Sequence, residues 1–173
     1  MTRGESGSAP PRRSQARRLA LEILYEADVL GRKPEDVLAG GGAVTAWSPA
    51  DEFTEDLVLG VARERDALDA AIRRLAHNWT IERMPIIDRN LLRIGAFELF
   101  HRPSVPVAVV INEAVELAKL LSTEDSGRFV NGLLGRLAEE VRGGGDPTPG
   151  GAGEQTPGGA GEQMPGRAES PEL

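Results

Sequence analysis

From Pro85 to Phe100 the chain carries apolar residues on every side of a helix. Ile86, Ile87, Leu91, Leu92, Ile94, Phe97, Leu99 and Phe100, wound at 3.6 residues per turn, fall nearly all round the cylinder. A helix that is apolar on all sides is stable in water only when other elements cover it. This segment is therefore the predicted central helix, and the rest of the chain has to supply its cover.

The other long segments also show helical spacing. Ser14 to Leu30 lines up Ala16, Leu19, Ala20, Ile23, Leu24 and Ala27, and Gly31 ends it. Pro34 to Leu38 makes a short helix before Gly40-Gly41-Gly42. Ser48 and Pro49 read as the N-cap and first residue of the next helix, with Asp51 and Glu52 in its first turn. Leu57, Val58, Val61 and Ala62 form its apolar face, and a break near Arg65-Asp66 separates it from Leu68, Ala71, Ile72 and Leu75. Pro103 and Pro106 bracket a turn. Val107 to Leu121 then sets Val110, Ala114, Leu117 and Ala118 against Asn112, Glu113, Glu116 and Lys119. A last helix carries Phe129, Val130, Leu133, Leu134, Leu137 and Val141. The Val105–Ile111 run suits a strand by residue type, but the helical spacing that follows resolves it toward helix. The predicted fold is all-α, with about seven helices in two small bundles sharing a core.

Residues 1–11 lack periodicity and read as a disordered arm. Residues 12–142 are the predicted folded domain. Residues 143–173 read as a disordered tail, in which Thr148–Gln155 (TPGGAGEQ) recurs unchanged at Thr156–Gln163. The chain has no cysteine, so it offers neither a disulfide nor a thiolate metal site. His77 and His101 have no partner at metal-ligand spacing, and no metal or cofactor is expected. No apolar run approaches the roughly 20 residues that span a bilayer, and the start lacks a signal-peptide core. A cytoplasmic protein without membrane attachment is the expectation. The glycine runs follow no strand, and no nucleophile elbow, zinc-protease pair or isolated acid–base pair occurs, so an enzyme is not expected.

Net charge is −7, but it is unevenly spread. Residues 1–18 hold Arg3, Arg12, Arg13, Arg17 and Arg18 against Glu5 alone. An arginine-rich helix start offers several charge-assisted phosphate contacts. Arg13 and Arg17 share one flank of the apolar stripe, and Arg18 and Tyr25 share the opposite side. Arg18 either faces a ligand or pairs with Glu22, four residues on. Tyr25 either makes a protein–protein contact or lies flat over a neighbouring helix. A second polar cluster, Asp125, Ser126, Arg128 and Asn131, falls outside the apolar stripe at the start of the last helix, where free backbone N–H groups point outward. It either binds a polar partner or is solvated surface behind a Thr123 cap.

Four blocks in this order and spacing resemble the NusB transcription antitermination family. They are Arg13 through Tyr25 (RSQARRLALEILY), Ile87 through Leu99 (IDRNLLRIGAFEL), Ile111 through Lys119 (INEAVELAK) and Glu124 through Gly132 (EDSGRFVNG). The resemblance covers about Arg12 to Arg142. It implies two three-helix bundles plus a small extra helix. It also implies a factor that pairs with the small-subunit ribosomal protein NusE, binds boxA RNA of nascent ribosomal RNA transcripts and serves the transcription elongation complex. Arg13 and Arg17 match the family's arginine-rich RNA-binding start, with Arg12 and Arg18 beside them. Asp125 matches a position implicated in RNA recognition. Tyr25, Glu82 and Asp88 match positions at the NusE contact. Ser14 and Gln15 depart from the most arginine-dense versions, and the repeated tail is not a family feature. Some relatives form homodimers, and related domains precede ribosomal-RNA cytosine methyltransferases; the low-complexity tail, without a nucleotide-binding Gly motif or a cysteine, makes a catalytic part unexpected here. A purely protein-binding helical adaptor is the competing reading.

Overall fold

The structure, a computed structural model, describes residues 12–40, 52–76 and 79–143. Among them are seven α-helices, one 3-10 turn and no strand. The helices are α1 (Arg12–Leu30), α2 (Pro34–Gly40), α3 (Glu52–Arg63), α4 (Arg65–Leu75), α5 (Ile86–His101), α6 (Val107–Leu121) and α7 (Ser126–Gly143); the turn is Ile81–Arg83. The Ser48–Pro49 start, the residue 1–11 arm and the repeats lie outside the described residues. The break after α3 falls at Glu64, beside its predicted place. Gly31 ends α1 in the left-handed region (φ +63°), and the Arg32 N–H reaches back to the Ala27 carbonyl at 2.9 Å.

α5 is the central helix. It packs against α1, α3, α4, α6 and α7. α1, α2 and α3 pack on one another, α5, α6 and α7 do the same, and α4 lies against both α5 and α7. The two groups meet in one apolar core, with Leu57, Ile72, Leu92, Phe97, Leu133 and Leu134 among its sealed members.

Hydropathy alone does not show that α5 also buries Asp88, Asn90, Arg93 and Glu98. Each has a partner. Arg93 forks onto Asp69, with its Nε 2.7 Å from Oδ1 and its Nη2 2.9 Å from Oδ2. Asp28, near the end of α1, accepts from Arg89 (3.1 Å), Asn90 (3.1 Å), Arg93 (3.3 Å) and Arg65 (3.2 Å). Burial raises the Asp28 pKa, but the Arg89 and Asn90 hydrogen bonds and the Arg93 and Arg65 charges outweigh it and hold the carboxyl below the usual carboxylate range. A carboxyl depressed on folding stabilises above its unfolded pKa of about 3.9, and that contribution is lost as pH falls through the folded value. Asp28→Asn is therefore expected to be less stable than the parent at pH 7 and to lose less on acidification below about pH 4. Thermal melts across pH 2–7 measure this; parallel curves for the two proteins would contradict it.

Candidate nucleic-acid interface

The four arginines at the start of α1 have different surroundings. Arg12 and Arg13 are exposed, and among the described residues no carboxylate lies within ion-pair distance of either. Arg13 is over the Phe53 ring, its Cζ 5.2 Å from the centroid. Arg18 is exposed but pairs with Glu22 at 3.1 Å. Arg17, expected at the RNA surface, is instead 3% exposed. Its Nε and Nη2 meet the Glu98 carboxylate at 2.9 and 2.6 Å, and its Cζ is 5.4 Å from the Phe53 centroid. The reason is position. A flank residue on α1 that faces α5 finds Glu98, itself 1% exposed, and the pair seals itself in. Glu113 of α6 joins the group, 3.9 Å from Arg17 Nη1, and takes the Ser14 hydroxyl at 2.9 Å.

The second polar cluster divides as well. Asp125 is exposed, whereas Ser126 is buried. The Ser126 hydroxyl lies 2.7 Å from Asp88 Oδ2 and accepts the Thr123 N–H at 3.1 Å. Ser126 thus holds the α6–α7 turn to α5. Its neighbour Thr123 makes a 2.7 Å hydroxyl contact to Ser126 Oγ, and its carbonyl accepts the Ser126 N–H at 3.0 Å. Asp88 is 3% exposed, and its Oδ1 has no hydrogen-bond partner among the described residues. Its burial against Ser126 removes it from the surface on which a NusE contact was expected. Asp125, Ser126 and Asp88 help line a cavity of about 270 Å³ whose wall includes Trp79 and Phe129. Trp79 is 56% exposed, and its ring centre is 6.0 Å from that of Phe129 at a 42° tilt.

Arg128 and Asn131 are exposed on α7. Asn131 lines a different depression, shared with Asn112, Glu116 and Lys119 of α6. Those three step along α6 from the Glu113 end toward the Thr123–Asp125 turn. α7 approaches closely there: a Cβ on Gly127 would lie 2.8 Å from Lys119 Cγ. Along α5, ten residues separate Glu98, beside the arginines, from Asp88, beside the aromatic cavity, which is about 15 Å of helix.

Tyr25 is 43% exposed and stands in an apolar groove of about 430 Å³. Leu21, Val29 and Leu30 of α1 face Ile87 and Leu121 across it, with Glu22 and Glu26 among its lining. Glu82 sits elsewhere, exposed in the 3-10 turn and 2.8 Å from Arg73, whose hydrogen bond holds its carboxyl below the usual range. Tyr25, Glu82 and Asp88 are therefore in three different settings. Sequence reasoning missed Trp79 altogether and assigned Phe129 only to the core. The available signal was a tryptophan in a loop, outside any apolar stripe. Among the described residues no cluster could hold a metal ion, and no helix is long and apolar enough to cross a membrane.

The NusB family model matches residues 14–139. The chain belongs to the NusB family. Membership makes it a transcription antitermination factor rather than an enzyme. It is 48% identical over 132 residues to transcription antitermination protein NusB of Salinispora tropica, covering 75% of this chain and 96% of that one. It is 47% identical over 127 residues to the same protein of Saccharopolyspora erythraea, covering 73% and 86%. Among solved structures, T. maritima NusB superimposes with a TM-score of 0.68 at 32% identity, covering 77% of this chain and 94% of that one. A crystal structure of the antitermination factors NusB and NusE in complex with double-stranded RNA gives 0.63 at 28% identity, covering 76% and 99%.

Proposed function

We propose that this NusB-family chain pairs with NusE and binds the boxA sequence of nascent ribosomal RNA, within the transcription elongation complex in the cytoplasm. The observation that carries the RNA part is the pair Arg12 and Arg13: exposed cations at the start of α1 with no carboxylate partner among the described residues, in a chain whose net charge is −7. Unpaired guanidinium groups give phosphate contacts without first breaking an ion pair. The second contact region is the turn at Asp125. An unstacked base can lie against the exposed Trp79 ring, while Asp125 accepts a base amino group. Arg128 and Asn131 extend the polar surface along α7, and Arg18 contributes after releasing Glu22. Arg17, Ser126 and Asp88 act from inside as braces for these two regions rather than as contacts.

The protein part rests on the Tyr25 groove. A half-exposed tyrosine among aliphatic walls is the kind of anchor that stable interfaces bury, and a basic ribosomal partner suits Glu22 and Glu26 alongside it. Glu82, on its exposed turn, is a further point for a basic side chain. The partner also supplies positive charge that this acidic chain lacks.

Fluorescence anisotropy with boxA RNA, with and without NusE, tests the proposal. The double variant Arg12→Ala/Arg13→Ala is expected to weaken RNA binding by about tenfold or more at low salt, with its helical circular dichroism unchanged. Equal affinity for the double variant and the parent would overturn the arginine assignment.

A further inference from the structure

We propose that Phe53 is a positioning residue for RNA binding: its ring holds the Arg13 guanidinium by the face and leaves the hydrogen-bonding edge free for phosphate. The inference rests on the reading above, in which Arg13 meets RNA, and assigns a role to a residue on a different helix. Phe53 is the second residue of α3 and is half-buried against the core. Its neighbour Thr54 is fully buried and within 3.4 Å of the Ala16 carbonyl, which ties α3 to α1 at this level. Two guanidinium groups converge on the one ring, Arg13 at 5.2 Å and Arg17 at 5.4 Å from its centroid.

The two arginines differ in what their edges do. All five guanidinium N–H donors lie in the plane of the group, so stacking on an aromatic face consumes none of them. Arg17 spends its edge on Glu98. Arg13 has no carboxylate within ion-pair distance among the described residues. Arg17 is thus a fixed neighbour, clamped by a buried fork, and the ring it touches becomes a fixed shelf for Arg13. A free arginine on a helix surface samples many rotamers and loses that freedom when it grips a phosphate. An arginine held over a ring has already given part of it up, so less is lost on binding.

The test uses the full chain with NusE and boxA RNA, titrated by anisotropy across a salt series. Phe53→Leu keeps an apolar side chain of similar size and removes the π-face. It is expected to weaken binding about three- to fivefold at low salt and to leave the slope of log affinity against log salt unchanged, because Arg13 keeps its charge and its phosphate. Phe53→Trp, a better cation–π partner, is expected to retain the parental affinity. On an Arg13→Ala background, where the slope is already shallower by about 0.7 for one lost single-strand phosphate contact, Phe53→Leu should add nothing further. A purely structural role would lower the melting temperature and weaken binding on that background as well. Parental affinity for Phe53→Leu, or losses that multiply with those of Arg13→Ala, would overturn the inference. If Arg12→Ala/Arg13→Ala binds weakly but Phe53→Leu binds like the parent, only this inference fails. If the double arginine variant binds like the parent, the reading beneath it fails too.

Discussion

Glu98→Ala is expected to lower the stability of the folded chain by about 3–5 kcal/mol, read from urea denaturation followed by helical circular dichroism. Glu98 and Arg17 are 1% and 3% exposed, and two hydrogen bonds join them. Removing the carboxylate leaves a guanidinium buried without its counter-charge. Glu113, at 3.9 Å, is too far for a hydrogen bond and only partly replaces it. Domains of this kind are stable by about 5–15 kcal/mol in total, so the variant should stand close to its unfolding threshold. The pair as a whole is worth much less than the cost of breaking it, because both charges were desolvated to form it. Arg17→Met combined with Glu98→Leu is therefore expected to recover most of the loss. The same apolar pair separates two roles for Arg17. As an internal brace it can be replaced by a brace of another kind, and RNA affinity returns with the fold. As a phosphate contact it cannot, and affinity stays low in a stable protein.

Gly60→Ala is expected to cost about 3 kcal/mol or more, although alanine is the better helix former. Gly60 lies inside α3, where alanine would ordinarily gain about 1 kcal/mol over glycine. Here an added Cβ would fall 2.1, 2.4 and 2.7 Å from three carbons of the Phe97 ring. That overlap is far inside van der Waals contact, and the ring cannot step aside. It is 1% exposed, with the Arg102 guanidinium 5.0 Å from its centroid and the His101 ring at 5.0 Å. Arg102 is itself tied to Asp56 of α3. Overpacking thus outweighs propensity, and α3 must move off α5. Gly132→Ala and Gly135→Ala are the controls, since a Cβ at either meets nothing within 4 Å among the described residues. Both should be neutral or stabilising in the same denaturation series; a Gly60→Ala midpoint equal to theirs would show that α3 and α5 are not this close.

The helices were legible because burial follows a 3.6-residue period. α5 stood out by having apolar residues on every side, and that alone placed it at the centre. The same pattern could not say which charged residues go inside with it. Glu98 and Arg17 are 81 positions apart, and hydropathy assigns each to the surface until the fold brings them together. Arg17 therefore looked like Arg13 in the sequence, and four-residue spacing gave no warning that only Arg17 is buried. Ser126 misled in the same way, because its hydrogen bond to Asp88, 38 positions away, reverses what the residue type suggests. Tyr25 was legible as an unusual residue on a polar face. Its aliphatic groove was not, since Ile87 and Leu121 come from distant helices. Trp79 belongs to no periodic stripe, so its place beside Phe129 and Asp125 emerged only from the packing of α4, α5 and α7.

RNA is proposed to meet this NusB-family chain at two places, the Arg12–Arg13 end of α1 and the Trp79–Phe129 cavity beside Asp125. Photo-crosslinking of boxA RNA to the full chain bound to NusE, with the modified peptides identified by mass spectrometry, tests it directly. Adducts on the peptide holding Arg12 and Arg13, and on those holding Trp79 or Phe129, are the expected result. Adducts confined to the outer faces of α3 and α4, or none while NusE is bound, would contradict it.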